Sequence, residues 1–469
     1  MLGLDGGMTV ILILCLLIAC FFEFINGFHD TANAVATVIY TNSMKPSQAV
    51  VLSGISNFIG VFVGISVAMG VVNLLPIALL IDPSISHSIA MIMALLLTAI
   101  FWNLGTWYMG IPCSSSHTLF GSIFGVGIAY GLISESGTIA LNWAKVEDVS
   151  LALLISPVVG FGLTLGLVTF LKKKVKSKKL FAEPEKKKSP PFWTRLTLIA
   201  TCTMVSIFHG SNDGQKGIGL LMIILISLVP AHFALNHLKD PINLSISVNK
   251  IETAIDHINI KQLSTQQKLS MSIIKEKADT MRSILTGVTT FSKLKYSDHF
   301  ELRKDILVLA NESKTLLSGQ IYEAGAVIPD IYKGELKKGI KEIKSFTEYA
   351  PWWVVLLISI SLGLGTMIGW KRIVVTVGEK IGKERLNYAQ GASANFITAT
   401  TIGLATWLGL PVSTTHVLSS GVAGSMVATH GLKNLRAKTV KNILIAWLVT
   451  IPVTIIISGG LFLLFRIIF

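Results

Sequence analysis

Two short motifs in this chain place a proline ahead of three hydroxyl side chains and a histidine: Gly110-Ile-Pro-Cys-Ser-Ser-Ser-His117, and Gly409-Leu-Pro-Val-Ser-Thr-Thr-His416, which lies 299 residues further on. Proline suits a first helical turn, and Ser or Thr there caps free backbone N–H groups, so each motif predicts a helix start. A helix N-terminus offers roughly half a positive charge and unpaired donors. Two of them, oppositely oriented and meeting at the middle of a bilayer, would hold a tetrahedral oxyanion without a cluster of Arg. The candidate anion ligands are Ser114, Ser115, Ser116, Ser413, Thr414 and Thr415. The plainer alternative is that these hydroxyls only cap helices or bond neighbouring ones.

A second pair of motifs brings oxygen ligands and imidazoles. Phe28-His-Asp-Thr-Ala-Asn33 returns loosely as Phe208-His-Gly-Ser-Asn-Asp213, with a separation of 183 from Asp30 to Asp213. Asp30, Asn33, Asn212 and Asp213 suit a hard cation or a proton carrier beside an anion. His29 and His209 bring imidazole, a side chain suited to carrying protons, although a lone His can equally donate to a neighbouring carbonyl. Glu23, about two helical turns before Asp30, is a further candidate for the same relay. The alternative for Asp30 and Asp213 is a place at span ends, wetted at the headgroups.

The elements that hold these residues are apolar. The chain has 469 residues, 51% apolar and 14% charged, against about a quarter charged in soluble domains. Apolar stretches of spanning length run from Thr9 to Tyr40, Val50 to Val72, Ile89 to Met109, Ser150 to Leu171, Leu196 to Val229, Trp352 to Trp370 and Ile443 to Phe465, which reads as a polytopic all-α membrane protein. Thr9 to Tyr40 would reach about 48 Å as one helix, well beyond a hydrocarbon core of about 30 Å, so a break is expected near its polar residues. Whether Ile89 to Tyr130 makes two full spans or a span with re-entrant hairpins stays open. Met1 to Cys20 lacks a basic leader and a cleavage site and reads as part of a retained first span.

The net charge of +14 sits in short runs between spans, which reports orientation and not nucleic-acid binding. Lys172 to Lys188, Lys371 to Arg385 and Lys433 to Lys441 are expected to be cytoplasmic; Met1 to Met8, Asn73 to Ser88 and Gly131 to Ser150 are expected outside, which puts both termini outside. The polar segment Ala231 to Ala350 is too long for the charge rule, and parity makes it periplasmic. Its apolar residues recur at helical spacing, Ile251, Ile255, Ile258 and Ile274, Met281, Leu285, as in a small helical lobe. Cys15, Cys20, Cys113 and Cys202 all lie in apolar stretches, and neither disulfide, zinc nor a cofactor is indicated.

The two motif spacings differ by 116 residues, close to the length of that polar segment, so one insertion into the second half explains both. The halves then have opposite orientation, an inverted-repeat architecture with broken helices or re-entrant hairpins. The expected organisation is a first transmembrane repeat at 1–171, a basic linker at 172–195, a second repeat at 196–230 and 351–469, and the helical insertion at 231–350.

Taken together, Gly27-Phe-His-Asp-Thr-Ala-Asn-Ala34, His209-Gly-Ser-Asn-Asp-Gly-Gln-Lys216 and the duplicated Pro-x-Ser-[Ser/Thr]-[Ser/Thr]-His resemble the inorganic phosphate transporter (PiT) family over nearly all the membrane part, and most closely its bacterial low-affinity branch. The resemblance implies phosphate uptake across the bacterial cytoplasmic (inner) membrane by symport, driven by protons in the bacterial branch and by sodium in animal and some prokaryotic members. It implies cation ligands at Asp30, Asn33, Asn212 and Asp213, phosphate ligands at Ser114, Ser115, Ser413 and Thr414, and cargo that includes neutral divalent metal–phosphate complexes, with Asp30 and Asp213 facing the co-transported cation. Animal members carry a Glu in each repeat near Asn57 and Thr366 of this chain, and their Gly-Ala-Asn-Asp pattern is Gly-Phe-His-Asp here; both departures, with the two histidines, favour protons over sodium. The partners expected are phosphate, protons, the lipid bilayer and a second copy in a homodimer.

Rival readings are a permease for sulfate or another oxyanion on the same scaffold, a sensor built on the 231–350 segment, and an intramembrane hydrolase using Ser116 with His117 or Thr415 with His416. Sequence neighbours make a poor nucleophile–base pair on a helix, which argues against the last, and an enzyme is not expected.

Overall fold

The computed structural model describes residues 4–75, 79, 85–133, 141–185, 188–258, 260, 263–318 and 330–469. Parts of the segments expected outside, Met1 to Met8, Asn73 to Ser88 and Gly131 to Ser150, and of the basic run Lys172 to Lys188 lie outside the described residues. The regular elements among the described residues are helical, with one isolated bridge between Gly382 and Leu435. Two compact units divide the chain: Gly6–Ile224 with Ala350–Phe469, and the Leu225–Tyr349 lobe.

The larger unit contains α1 (Gly6–Tyr40), α2 (Pro46–Val61), α3 (Ser66–Val72), α4 (Ile85–Tyr108), α5 (Ser115–Ile133), α6 (Trp143–Lys174), α7 (Phe192–His209) and most of α8 (Gln215–Leu228). Five helices among the described residues are long and apolar enough to cross a membrane: α1, α4, α5, α6 and the C-terminal Ala437–Ile468; α2 and α3, bent by 72° at a short break, make a broken span or a re-entrant loop. The chain is thus a multi-pass membrane protein.

The break expected within Thr9 to Tyr40 does not occur: α1 is one continuous helix of 35 residues. A break would free backbone groups that hydrocarbon cannot satisfy; here Glu23 and Asn26 bond each other within α1, while Asp30, Thr31 and Thr37 find partners on other helices. Thr31 Oγ1, for example, donates to Thr366 O at 2.8 Å. The corresponding run in the second half is the distorted one, because Gly210–Gly214 between α7 and α8 forms a π-helical turn.

After the lobe come α9 (Trp352–Met367), α10 (Tyr388–Trp407), α11 (Thr414–His430) and α12 (Ala437–Ile468). The halves exchange partners: α5 packs along α12 and α11 along α6, while α1 packs on α9 and α7 on α2. Both α6 and α12 run for 32 residues and carry an internal proline, Pro157 and Pro452. Small residues permit the close approaches, as expected where lipid supplies no hydrophobic drive between helices. A Cβ on Gly365 of α9 would lie 2.0 Å from the Phe24 carbonyl oxygen of α1, and one on Gly210 would lie 2.2 Å from Asn57 O of α2.

The lobe has its own core. Its helices are α13 (Pro241–Asp256), α14 (Thr265–Leu285), α15 (Tyr296–Ser318) and α16 (Asp330–Lys344). Ile251, Ile255, Ile258, Ile274, Met281 and Leu285 are all buried in one cluster with Leu302, Ile306, Leu336 and Ile340. Fully buried Arg303 ties both ends of the lobe, donating from Nη1 to Ala234 O at 2.8 Å and Thr347 O at 3.2 Å.

Gly365→Val is expected to separate α1 from α9 and to lower the unfolding temperature of the detergent-solubilised protein by several degrees, because the clashing atom is backbone and cannot rotate away. Fluorescence-detected size exclusion after a heat ramp measures this; an unchanged profile would show that the two helices do not meet at this position.

Candidate functional site

Both duplicated motifs start helices as their chemistry predicts. Ser413 caps α11, its Oγ accepting from His416 N at 3.2 Å, and Ser114 Oγ accepts from His117 N at 3.1 Å at the start of α5. Capping engages these two oxygens as acceptors, while the hydroxyls of Ser115, Thr414 and Thr415 act as donors.

Those donors turn to carboxylates. Asp30 accepts from Ser115 Oγ at 3.1 Å and from Thr415 Oγ1 at 2.6 Å, so α5 and α11 converge on a single side chain of α1. Asp213 accepts from Thr414 Oγ1 at 3.2 Å and from Lys216 Nζ. Ser116 Oγ donates to Val412 O at 3.0 Å and itself accepts from Lys216. Asp30 and Asp213 are 2% and 0% exposed, which places them in the interior and not at wetted span ends.

His209 stands between the carboxylates, its Nε2 3.3 Å from Asp213 Oδ2 and 3.7 Å from Asp30 Oδ2. Nε2 is buried and lacks hydrogen-bond geometry, so these are ion-pair distances, realised as such when the ring is protonated. Nδ1 lies 3.0 Å from Asn57 Oδ1, and Asn57 Nδ2 donates to Thr366 Oγ1 at 2.8 Å. The two positions singled out as departures from the animal pattern therefore bond each other and support this imidazole. His29 lies on the other side of Asp30, with Nδ1 3.2 Å from Asp30 Oδ1 and Nε2 3.4 Å from Thr106 Oγ1.

One ligand atom each from Asp30, His209 and Asp213 lie within 4.8 Å of one another, a spacing that would fit a small cation. Asn212 is directed elsewhere: its amide donates to Thr406 Oγ1 at 2.9 Å and Leu410 O at 3.2 Å and accepts from Val412 N at 3.2 Å, which holds the chain that leads into α11. Asn33 is on α1 one turn after Asp30; its side chain lies outside the described residues.

The motif histidines do not serve their neighbouring hydroxyls. His117 Nδ1 is 2.9 Å from Ser114 Oγ, not paired with Ser116, and Thr415 donates to Asp30 and not to His416. The His117 and His416 rings meet each other at 4.3 Å between centroids, and His416 stacks on Trp447 at 3.8 Å. Neither nucleophile–base pair proposed for a hydrolase is assembled.

A model of the phosphate transporter family matches residues 26–458. The chain belongs to that family. It is 40% identical to the low-affinity inorganic phosphate transporter PitB of Escherichia coli (strain K12), over 98% of this chain and 97% of that one, and 30% identical to a probable low-affinity inorganic phosphate transporter of Bacillus subtilis (strain 168), over 98% of each. A solved structure titled as the sodium-dependent phosphate transporter covers 98% of this chain and all of its own, with a TM-score of 0.55 and 20% identity, a likeness that speaks for the fold alone. The relatives are named as transporters, and the chain is a transporter of this family, not an enzyme.

Lys216 is the residue the motifs did not assign a role. Its ammonium, 2% exposed, binds Asp213 Oδ1, Ser116 Oγ and, at 2.8 Å, Val412 O, so it joins both hydroxyl motifs. Its signal in the sequence is the i,i+3 spacing from Asp213 inside an apolar run, where an unpaired charge is costly. Lys216→Met is expected to lower stability by about 3 kcal/mol by leaving Asp213 charged and unpaired, and Asp213→Asn in the same chain is expected to restore most of it. Equal losses in the single and double variants, measured by thermal unfolding, would show that the pair is not coupled.

Proposed function

We propose that the chain is a symporter that takes up inorganic phosphate across a bacterial cytoplasmic membrane, with protons as the coupling ion. Phosphate as the substrate is drawn from the family and the names of the relatives. The observation that carries the coupling is the convergence of Ser115 on α5 and Thr415 on α11 upon the Asp30 carboxylate.

Each hydroxyl has one proton to donate. While Asp30 is ionised it draws those of Ser115 and Thr415, and Asp213 draws that of Thr414, so the helix N-termini are engaged by carboxylates. Neutralising Asp30 releases both hydroxyls toward an incoming phosphate oxygen, and the new carboxylic acid proton becomes a donor itself. With neutral imidazoles, Asp30, Asp213 and Lys216 already sum to one negative charge, so an arriving phosphate anion needs compensation. A proton on His209 or Asp30 supplies it, and His29, beside Asp30, is suited to pass that proton in from the Thr106 side. Ser114 and Ser413 hold the helix starts in place, and Ser116 and Lys216 lock one to the other.

A metal–phosphate cargo is the second reading, favoured by the Asp30, His209 and Asp213 spacing, which would let a divalent cation replace the protons. In our reading the halves 1–171 and 196–230 with 351–469 are inverted repeats joined by the basic linker 172–195. The reciprocal packing of α5 on α12 and α11 on α6 supports this. The 231–350 segment is a periplasmic insertion and both termini lie outside.

Radiolabelled phosphate uptake into proteoliposomes tests the reading. An imposed proton gradient, acidic outside, is expected to drive uptake with sodium absent, and Asp30→Asn and Asp213→Asn are each expected to reduce it at least about tenfold. Uptake that follows a sodium gradient alone would overturn proton coupling, and uptake of sulfate at the same rate would overturn phosphate specificity.

A further inference from the structure

The larger unit buries one carboxyl that the symport described above does not use. Glu23 lies on α1 and is 0% exposed; Asn26, about one turn further along the same helix, is 2% exposed. Asn26 Nδ2 donates to Glu23 Oε1 at 3.1 Å. The second oxygen on each of these head groups, Glu23 Oε2 and Asn26 Oδ1, is buried with no hydrogen-bond partner. Gly217 of α8 stands against the carboxyl. A Cβ there would lie 2.6 Å from Glu23 Oε2 and 3.1 Å from Ile358 Cδ1 of α9, so glycine at 217 leaves the room that Glu23 fills.

Both orphaned oxygens are acceptors while the carboxyl is ionised, and a buried acceptor without a donor is costly. A purely structural residue at position 23 would serve better as Gln, whose amide pairs with that of Asn26 and brings no charge into the membrane. A single proton on Glu23 removes the cost as well. An O–H at Oε2 can donate to Asn26 Oδ1 while Asn26 Nδ2 donates to Oε1, which closes a cyclic pair of acid and amide across the two head groups. A metal ion does not fit, because two oxygens fall well short of the six or so that a hard cation gathers.

We propose that Glu23, paired with Asn26, is a second proton-binding site of the transporter, separate from the carboxylates that meet the hydroxyl motifs, and that its proton moves with phosphate. This rests on the symport reading above. The titratable groups that act on Glu23 are Cys20 on its own helix and His209, Asp213 and Lys216 from the α7–α8 segment, while α9 brings Ile358 and Ser361, which do not titrate. An ionised Glu23 adds a second net negative charge to the one left by Asp30, Asp213 and Lys216, and so repels an arriving phosphate. Protonation takes that charge away, so proton and phosphate each favour the binding of the other. Gly217 follows Lys216 directly, which sets the carboxyl against the helix that carries the site lysine.

Glu23→Gln tests this, because Gln can keep both hydrogen bonds to Asn26 and stands permanently for the protonated acid. Infrared difference spectra of the purified full-length protein, acidic minus alkaline, are expected to hold a carboxylic-acid carbonyl contribution that the variant lacks. In proteoliposomes with the membrane potential clamped at zero and a tenfold proton gradient, the variant is expected to reach a steady-state phosphate accumulation about tenfold lower than the wild type, because each coupled proton contributes one factor of the gradient. A residue with only a structural role would change the rate of approach and not this ratio. Equal carboxylic-acid bands in the two proteins, or equal accumulation ratios, would overturn the proposal. No phosphate accumulation by the wild type would overturn the symport reading instead, and the infrared comparison would still decide whether Glu23 holds the proton.

Discussion

The larger unit is organised around one buried carboxylate. Asp30 on α1 receives the hydroxyl proton of Ser115 from one duplicated motif and that of Thr415 from the other. An ionised group in the interior of a membrane protein persists only if its lone pairs are filled. Ser and Thr at helix starts fill them economically, because their backbone already presents positive potential there. The demand acts in both directions: α5 and α11 can start in the interior because a carboxylate meets their N-termini, and Asp30 can be buried because they start there.

The rest of the polar centre repeats that logic with different chemistry. Asp213 has one hydroxyl donor, Thr414, and takes its second from Lys216, so charge and hydrogen bonding are balanced within one stretch of chain. The π-helical turn Gly210–Gly214 separates His209 from the start of α8, and glycine at 210 lets this distorted segment press on the Asn57 carbonyl of α2. Asn57 in turn supports His209 and reaches Thr366. His209 thus sits between the two carboxylates while its Asn57 partner ties it to α2 and α9.

The lobe is built on ordinary soluble physics by comparison. Its helices bury one apolar face each, α14 opens with a capping box between Ser264 and Gln267, and Arg303 closes the segment with backbone carbonyls from both ends. Burial lowers the Arg303 guanidinium to about 10, which still leaves it charged at neutral pH. Such a lobe holds itself together without drawing on the buried polar residues of the larger unit.

Much of this was legible in the sequence because it is local or periodic. The duplicated Pro-x-Ser-[Ser/Thr]-[Ser/Thr]-His announces two capped helix starts, the length and apolarity of the runs announce a membrane, and the spacing of Ile251, Ile255, Ile274 and Met281 announces the faces that pack in the lobe. The family resemblance rested on the same ordered motifs. What tertiary structure alone decided is which distant groups meet. Thr415 reaches Asp30 across 385 residues, and Lys216 reaches Ser116 across 100, and no local pattern encodes either pairing. The continuity of α1 belongs to the same class: a run too long and too polar for a simple span predicted a break, yet the helix runs unbroken with Asp30, Thr31 and Thr37 bonded to other helices. Asn212 shows the converse, since its type fits a ligand while its surroundings commit it to the chain before α11. Residue chemistry sets what a side chain can bond; only the packing of the other helices sets which bond it makes.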